Sequence, residues 1–156
     1  MDIERRLKVE ELIARYVAHI DDDRLEEWPE CFIDDCHYLL TSFENYSEGL
    51  PHGAIYATSK GMLRDRVKSL RDANIYEQQR YRHVVGPIRV MGEKDGEIEV
   101  RSNFIVIRIM HTGDTDLFIT GEYLDKIVVS DGTYLFKERI VVTDSQKYDT
   151  LLALPI

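Results

Sequence analysis

Cysteine is scarce in this chain: two residues, Cys31 and Cys36, in a sequence of 156. Their closeness invites a zinc or disulfide reading, but a zinc site needs further thiols or histidines at compatible spacing, and none stands nearby. A disulfide is disfavoured in a reducing compartment. The pair is expected to be free, partly buried thiols where a helix gives way to a strand. Proline is also rare, with four residues, and no Pro/Gly/Ser-rich linker interrupts the chain. One domain spanning residues 1–156 is expected. Long apolar runs are missing, and the charged start, Met1 to Arg6, is followed by no apolar signal-peptide core. That predicts a cytoplasmic chain with no membrane partner. Basic charge is in deficit, 20 Lys and Arg against 29 Asp and Glu for a formal −9, and no basic run is present. Nucleic acid is therefore excluded as a partner.

What is present divides into two periodicities. From Ile3 to Ile20 the apolar residues Leu12, Ile13, Tyr16, Val17 and Ile20 recur at three- and four-residue steps, opposite Glu4, Arg5, Lys8, Glu11 and Arg15. That predicts an amphipathic helix. Asp21-Asp22-Asp23 interrupts it and can cap a short second helix through Leu25, Trp28 and Phe32, with Pro29 a break or restart point. His37 to Ser42 reads as a strand and Glu44 to Gly53 as a loop. A third helix, capped by Thr58 or Ser59, carries Met62, Leu63, Arg66, Val67 and Leu70 and ends near Asn74. Beyond it the period becomes two. Tyr81 to Met91, Glu97 to Met110, Thr115 to Val129 and Thr133 to Thr143 read as strands, with Asp95-Gly96, Thr112-Gly113-Asp114 and Asp131-Gly132 as their turns. Helices followed by long antiparallel strands define an α+β domain with helices on one sheet face. In Phe104-Ile105-Val106-Ile107 both faces are apolar, so the second face also needs a cover.

Residues able to do chemistry are few. The five histidines are His19, His37, His52, His83 and His111. Two histidines and a carboxylate on one face would hold a mononuclear iron, and two short Cys-His motifs would hold an iron–sulfur cluster. Neither pattern occurs, since His37 follows Cys36 but no second Cys-His pair exists downstream. No metal site and no cofactor site is expected. Acid/base work in a pocket between helices and sheet would draw on Asp21, Asp22, Tyr38, His83 and His111. Their bland roles are equally plain: Asp21 and Asp22 end a helix, Tyr38 is a strand aromatic, and His111 flanks a turn. In Arg80-Tyr81-Arg82-His83, alternation sends both arginines to one face. That face is either simply solvated or an ion-pairing surface for a neighbouring subunit, and the same two readings hold for Arg64 and Arg66 on the third helix.

Taken in order, several segments resemble one family. They are Trp28-Pro29 with Phe32, Asp35-Cys36-His37-Tyr38, Met62-Leu63-Arg64-Asp65-Arg66, Ala73-Asn74-Ile75-Tyr76-Glu77, Arg80-Tyr81-Arg82-His83, Arg108-Ile109-Met110-His111-Thr112-Gly113, Gly121-Glu122-Tyr123-Leu124-Asp125-Lys126 and Glu138-Arg139. The chain resembles the small, or beta, subunits of Rieske-type aromatic ring-hydroxylating oxygenases, and within them the branch acting on aromatic carboxylates such as terephthalate, salicylate or anthranilate. The resemblance implies a cone-like α+β fold, similar to nuclear transport factor 2 and ketosteroid isomerase, with N-terminal helices on a curved, mostly antiparallel sheet. It implies a non-catalytic subunit that packs with other beta subunits under a large alpha subunit, three of each. The Rieske [2Fe-2S] cluster and the mononuclear Fe(II) would belong to the alpha subunit, and NADH or NADPH would supply electrons through a reductase. No catalytic residue carries over to this chain. Candidate subunit contacts are the cations Arg64, Arg66, Arg80 and Arg82 and the apolar anchors Phe104, Tyr123 and Leu154. The alternatives are a stand-alone isomerase or dehydratase using the five acid/base candidates, or a small-ligand-binding protein of the same fold.

Overall fold

The computed structural model describes residues 1–50, 53–73, 79–145 and 154–156. Helix α1 runs Ile3–Asp21, and Asp2 caps it by accepting the Arg5 backbone N–H at 2.8 Å. The three- and four-residue spacing of Val9, Leu12, Ile13, Tyr16 and Ile20 turns all of them into the core. The expected second α-helix is instead a single 3-10 turn, Trp28–Cys31. Pro29 fits its first turn, and Phe32 is already extended at φ −117°, so the chain passes directly into a strand.

That strand, β1, spans Phe32–Ser42 and begins earlier than His37, where alternation becomes regular. A register shift between Phe32 and His37 leaves Asp34 and Asp35 exposed together, which hides the strand's start from a period-two reading. The region expected as a loop holds a short helix, α2 (Phe43–Ser47), capped by the Ser42 hydroxyl. Strand β2 (Ile55–Ala57) follows, and then α3 (Lys60–Ala73). Ser59 caps α3 through the Met62 N–H, and the expected end near Asn74 lies outside the described residues.

The expected strand Tyr81 to Met91 is two strands, β3 (Gln79–Val85) and β4 (Arg89–Lys94). Gly86 makes the last ladder-like bond, to the Asn103 carbonyl at 2.8 Å, and Pro87 then offers no N–H to continue it. Strands β5 (Glu97–Met110), β6 (Thr115–Ser130) and β7 (Thr133–Thr143) complete the sheet. The order is β2-β1-β7-β6-β5-β3, with β4 beside the other half of β5. All pairings are antiparallel except β1 with β7, so the sheet is mixed. Asp95-Gly96 and Asp131-Gly132 both hold positive φ, the signature of two-residue type I′ hairpins.

Helices α1 and α3 and the 3-10 turn cover the inner face, and the core lies between them and the sheet. Gly121 is required there. A Cβ would come within 2.2 Å of the Val142 carbonyl and 2.8 Å of the Phe104 ring, which lies flat across β6 and stacks on Tyr123 at 4.3 Å.

Candidate functional site

The space between α1 and the concave sheet face is where a fold of this shape would hold a substrate. Here it is packed with rings. Trp28, Tyr16, Phe32, Tyr38, Tyr123 and Phe136 are all fully buried, and Tyr16 contacts four of the others edge-on, with centroids 5.7–6.3 Å apart. Among them lies Arg139, its guanidinium carbon 3.9 Å from the Tyr123 ring centre, 4.1 Å from Phe136 and 4.2 Å from Tyr16. Asp125 faces it across the β6–β7 ladder and takes two hydrogen bonds, from Nε at 2.7 Å and Nη2 at 2.6 Å. Burial opposes the charge on Arg139, but Asp125 outweighs it and the guanidinium pKa lies above its ordinary value. Burial pushes the Asp125 carboxyl up, and the bidentate fork works against that push. The sequence places Tyr16 on the apolar stripe of α1, but nothing in the residues alone announced that Asp125 and Arg139 pair beside it.

The acid/base candidates are only partly brought together. Asp21, the last residue of α1, meets His83 on β3: one carboxylate oxygen accepts the His83 backbone N–H at 2.9 Å and the other lies 2.6 Å from Nδ1. Both side chains are buried. Asp22 is exposed and pairs with Arg24 at 3.4 Å. Tyr38 belongs to the ring cluster and lies 3.2 Å from the Tyr16 hydroxyl. His111 is exposed at the β5–β6 turn. Asp21, Asp22 and His111, with Tyr81 and Arg80, line a surface cleft of about 720 Å³, whereas Tyr38 is not on it. The five therefore do not form one constellation, and the Asp21 carboxylate is already committed to a structural bond with β3.

Among the described residues no group of three His, Cys, Asp or Glu side chains is placed to hold an ion. Cys31 and Cys36 are free thiols, and they are fully rather than partly buried, at 0% and 2% exposure.

The expected contact residues sort by depth. Phe104 and Tyr123 are inside the chain's own core, and Leu154 is buried as well, so these three are not exposed anchors as expected. The reason is register: Phe104 and Tyr123 project to the concave face beside Gly121. Arg64 is exposed and bonded to Glu30 at 2.8 Å, which holds the Glu30 carboxyl below its usual range. Arg66 is half-buried, and burial lowers its pKa, so the two arginines do not share one charged face. Arg80 and Arg82 are both exposed on the convex face, as alternation predicts. There Arg82 pairs in register with Ile107 and Val84 with Ile105, and Leu117 lies opposite Ile107. Val84, Ile105 and Leu117 are 53%, 41% and 64% exposed, forming an uncovered apolar patch beside the two arginines.

The α+β domain thus has an inner face packed with rings and, on its outer sheet face, an apolar patch beside Arg80 and Arg82. The ring hydroxylating beta subunit family profile matches residues 15–149. The chain is 47% identical over 143 residues to a beta subunit of the terminal oxygenase component of terephthalate 1,2-dioxygenase from Comamonas sp., covering 92% of this chain and 93% of that one. It is 40% identical over 155 residues to the anthranilate 1,2-dioxygenase small subunit of Burkholderia cepacia, covering 99% and 96%. A crystal structure from Novosphingobium aromaticivorans, described as the beta subunit of an aromatic-ring-hydroxylating dioxygenase, superposes with a TM-score of 0.89 at 36% identity over 97% of each chain. A second protein from that organism, described as a scytalone dehydratase, shares the fold at a TM-score of 0.70 and 23% identity, covering 99% of this chain and 93% of that one. The chain belongs to the ring-hydroxylating beta subunit family, and its fold is the cone-like α+β one that the resemblance implied.

Proposed function

We propose that the chain is the non-catalytic small subunit of the terminal oxygenase component of a Rieske non-haem iron oxygenase that oxidises an aromatic carboxylate. The observation that carries this reading is the filled cone: where the fold would admit a substrate, Tyr16, Tyr38, Tyr123 and Arg139 pack against one another instead. Kinship with the terephthalate and anthranilate subunits supports the aromatic-carboxylate branch. In this reading the chain works in the cytoplasm as part of an oxidoreductase, three copies with three alpha subunits. The Rieske [2Fe-2S] cluster and Fe(II) reside in the alpha subunit, and a reductase passes electrons from NADH or NADPH. Among the described residues no group of three His, Cys, Asp or Glu side chains is placed to hold either iron centre, and no chemical step is assigned to this chain.

The convex face is the proposed contact between small subunits. Arg80 and Arg82 make no ion pair among the described residues, and a second copy of this acidic chain supplies carboxylates to meet them beside the apolar patch. Co-expression of the tagged chain with an oxygenase large subunit of the same organism tests the whole reading. A large brown assembly with iron–sulfur absorption, in which the tagged chain itself holds no iron, is the expected outcome. A colourless species made of this chain alone would overturn it.

A further inference from the structure

Three small subunits set around one axis cannot meet through a single patch. A threefold ring is heterologous, so each copy offers two different surfaces, one to each neighbour. The convex patch of Val84, Ile105 and Leu117 beside Arg80 and Arg82 is one of them, and it suits a partner that is both apolar and acidic.

Helix α2 has that character. It is five residues long, and none of them is buried. A helix so short has no stability of its own, and an apolar face packed on a neighbour normally supplies it. Both ends of α2 are nevertheless fixed. The Ser42 hydroxyl accepts the Asn45 N–H at its start. At its end the Gly49 N–H bonds the Tyr46 carbonyl at 3.1 Å and the Leu50 N–H the Asn45 carbonyl at 2.9 Å, with Gly49 at φ +70°, which is a Schellman turn. The turn displays Phe43, Tyr46 and Leu50, which are 61%, 41% and 41% exposed. Glu44 and Glu48 stand one turn apart among them, and residues 43–50 include no basic side chain. Aromatic anchors framed by charge are the make-up of an interface and not of a solvated turn.

The sheet sets the two surfaces on opposite flanks. Across the ladders Ser42 pairs with Thr143, Thr143 with Gly121, Gly121 with Phe104 and Phe104 with Val85. Helix α2 leaves from the β1 end of that row, and Ile105 and Val84 stand beside its other end. With neighbouring strands about 4.8 Å apart, the two surfaces share one height along the strands and lie roughly 14–19 Å apart across them. Two different surfaces at a common height can meet head to tail and close into a ring, where an offset would climb into a filament.

We infer that α2 of one small subunit docks on the convex patch of the next, with Phe43 and Tyr46 covering Val84, Ile105 and Leu117, and Glu44 and Glu48 meeting Arg80 and Arg82. This contact rests on the small-subunit reading and supplies the second surface that the convex face needs.

The test uses the assembled oxygenase, with the chain co-expressed beside a large subunit of the same organism. Glu44→Arg with Glu48→Arg, or Arg80→Glu with Arg82→Glu, sets like charges against each other and should weaken association between small subunits roughly tenfold or more, read by native mass over a dilution series. A chain carrying all four reversals should return to within about threefold of the parent, since the charges match again. In a second measurement, differently tagged Glu48→Cys and Arg82→Cys chains are mixed in one assembly and treated with a short bismaleimide. The two kinds of chain should be joined to each other, and neither kind to itself, while Cys31 and Cys36 stay buried. No recovery in the fourfold variant, Arg82→Cys chains joined to one another, or Glu48→Cys joined only to the large subunit would overturn the contact and leave the small-subunit reading standing. A parent chain that joins no large subunit would overturn both.

Discussion

Arg139 and Asp125 face each other across the β6–β7 ladder, joined by two hydrogen bonds of 2.7 and 2.6 Å, with neither side chain exposed. The pair holds the centre of the cone together: Asp125 fixes the guanidinium plane, and the plane in turn packs against Tyr16, Tyr123 and Phe136. A charge in such a place is tolerated only because its partner is there.

Asp125→Ala should therefore cost about 3–5 kcal/mol of stability, because it strands a buried cation. Removing both charges together, as Asp125→Leu with Arg139→Met, should recover most of that loss, since an apolar pair of similar volume needs no compensation. Urea denaturation of the two variants beside the parent chain measures this. A double variant as unstable as the single would show that the ring stack, and not the ion pair, dominates.

Asp21→Asn separates a structural dyad from a catalytic one. The amide keeps one acceptor for β3 but turns an N–H₂ toward a donor, so a loss of about 1–3 kcal/mol is expected from the unsatisfied group. Turnover per iron in the assembled oxygenase should not change. A fall in turnover with unaltered stability would instead place Asp21 and His83 in chemistry.

Much of the fold was readable because strands β5, β6 and β7 alternate cleanly and their Asp-Gly turns carry their own geometry. The parallel pairing of β1 with β7 was not readable, since it joins distant segments and leaves no local pattern. The Asp125–Arg139 pair was hidden by a single residue. Counting back from the Asp131-Gly132 turn, Ser130 pairs with Thr133 and Ile127 with Phe136, which would set Asp125 opposite Glu138. The register shift between Lys126 and Ile127 moves the partner to Arg139. The Asp21–His83 contact likewise depends on how α1 lies over β3, which helix periodicity alone does not specify. Burial of Phe104 was missed because Phe104-Ile105-Val106-Ile107 is apolar on both faces and so does not say which face is the inner one.

The two thiols should be inert. Burial pushes Cys36 up to about 11 and raises Cys31 as well. At pH 8 only about a thousandth of a thiol with such a pKa is thiolate, against about a quarter for a free cysteine. A colorimetric disulfide reagent should consume no thiol in the native protein over minutes and two per chain in denaturant. Prompt reaction of one thiol without denaturant would mean that β1 opens locally at its register shift.

Assembly should depend on the convex face through two separable forces. Ile105→Asp or Leu117→Asp places a carboxylate in the exposed apolar patch, and the loss of buried area plus a desolvated charge should shift the native mass toward smaller species at every salt concentration. Arg82→Ala removes charge and leaves the patch intact. Its effect should be larger at low ionic strength than at high, where screening over about 3 Å at 1 M salt has already weakened the pair in the parent protein. Sedimentation of the parent, Leu117→Asp and Arg82→Ala chains across a salt series reads both effects at once. Parallel weakening of Arg82→Ala at all salts would assign Arg82 a packing role through its aliphatic stem, and an unchanged mass in all variants would move the contact off this face.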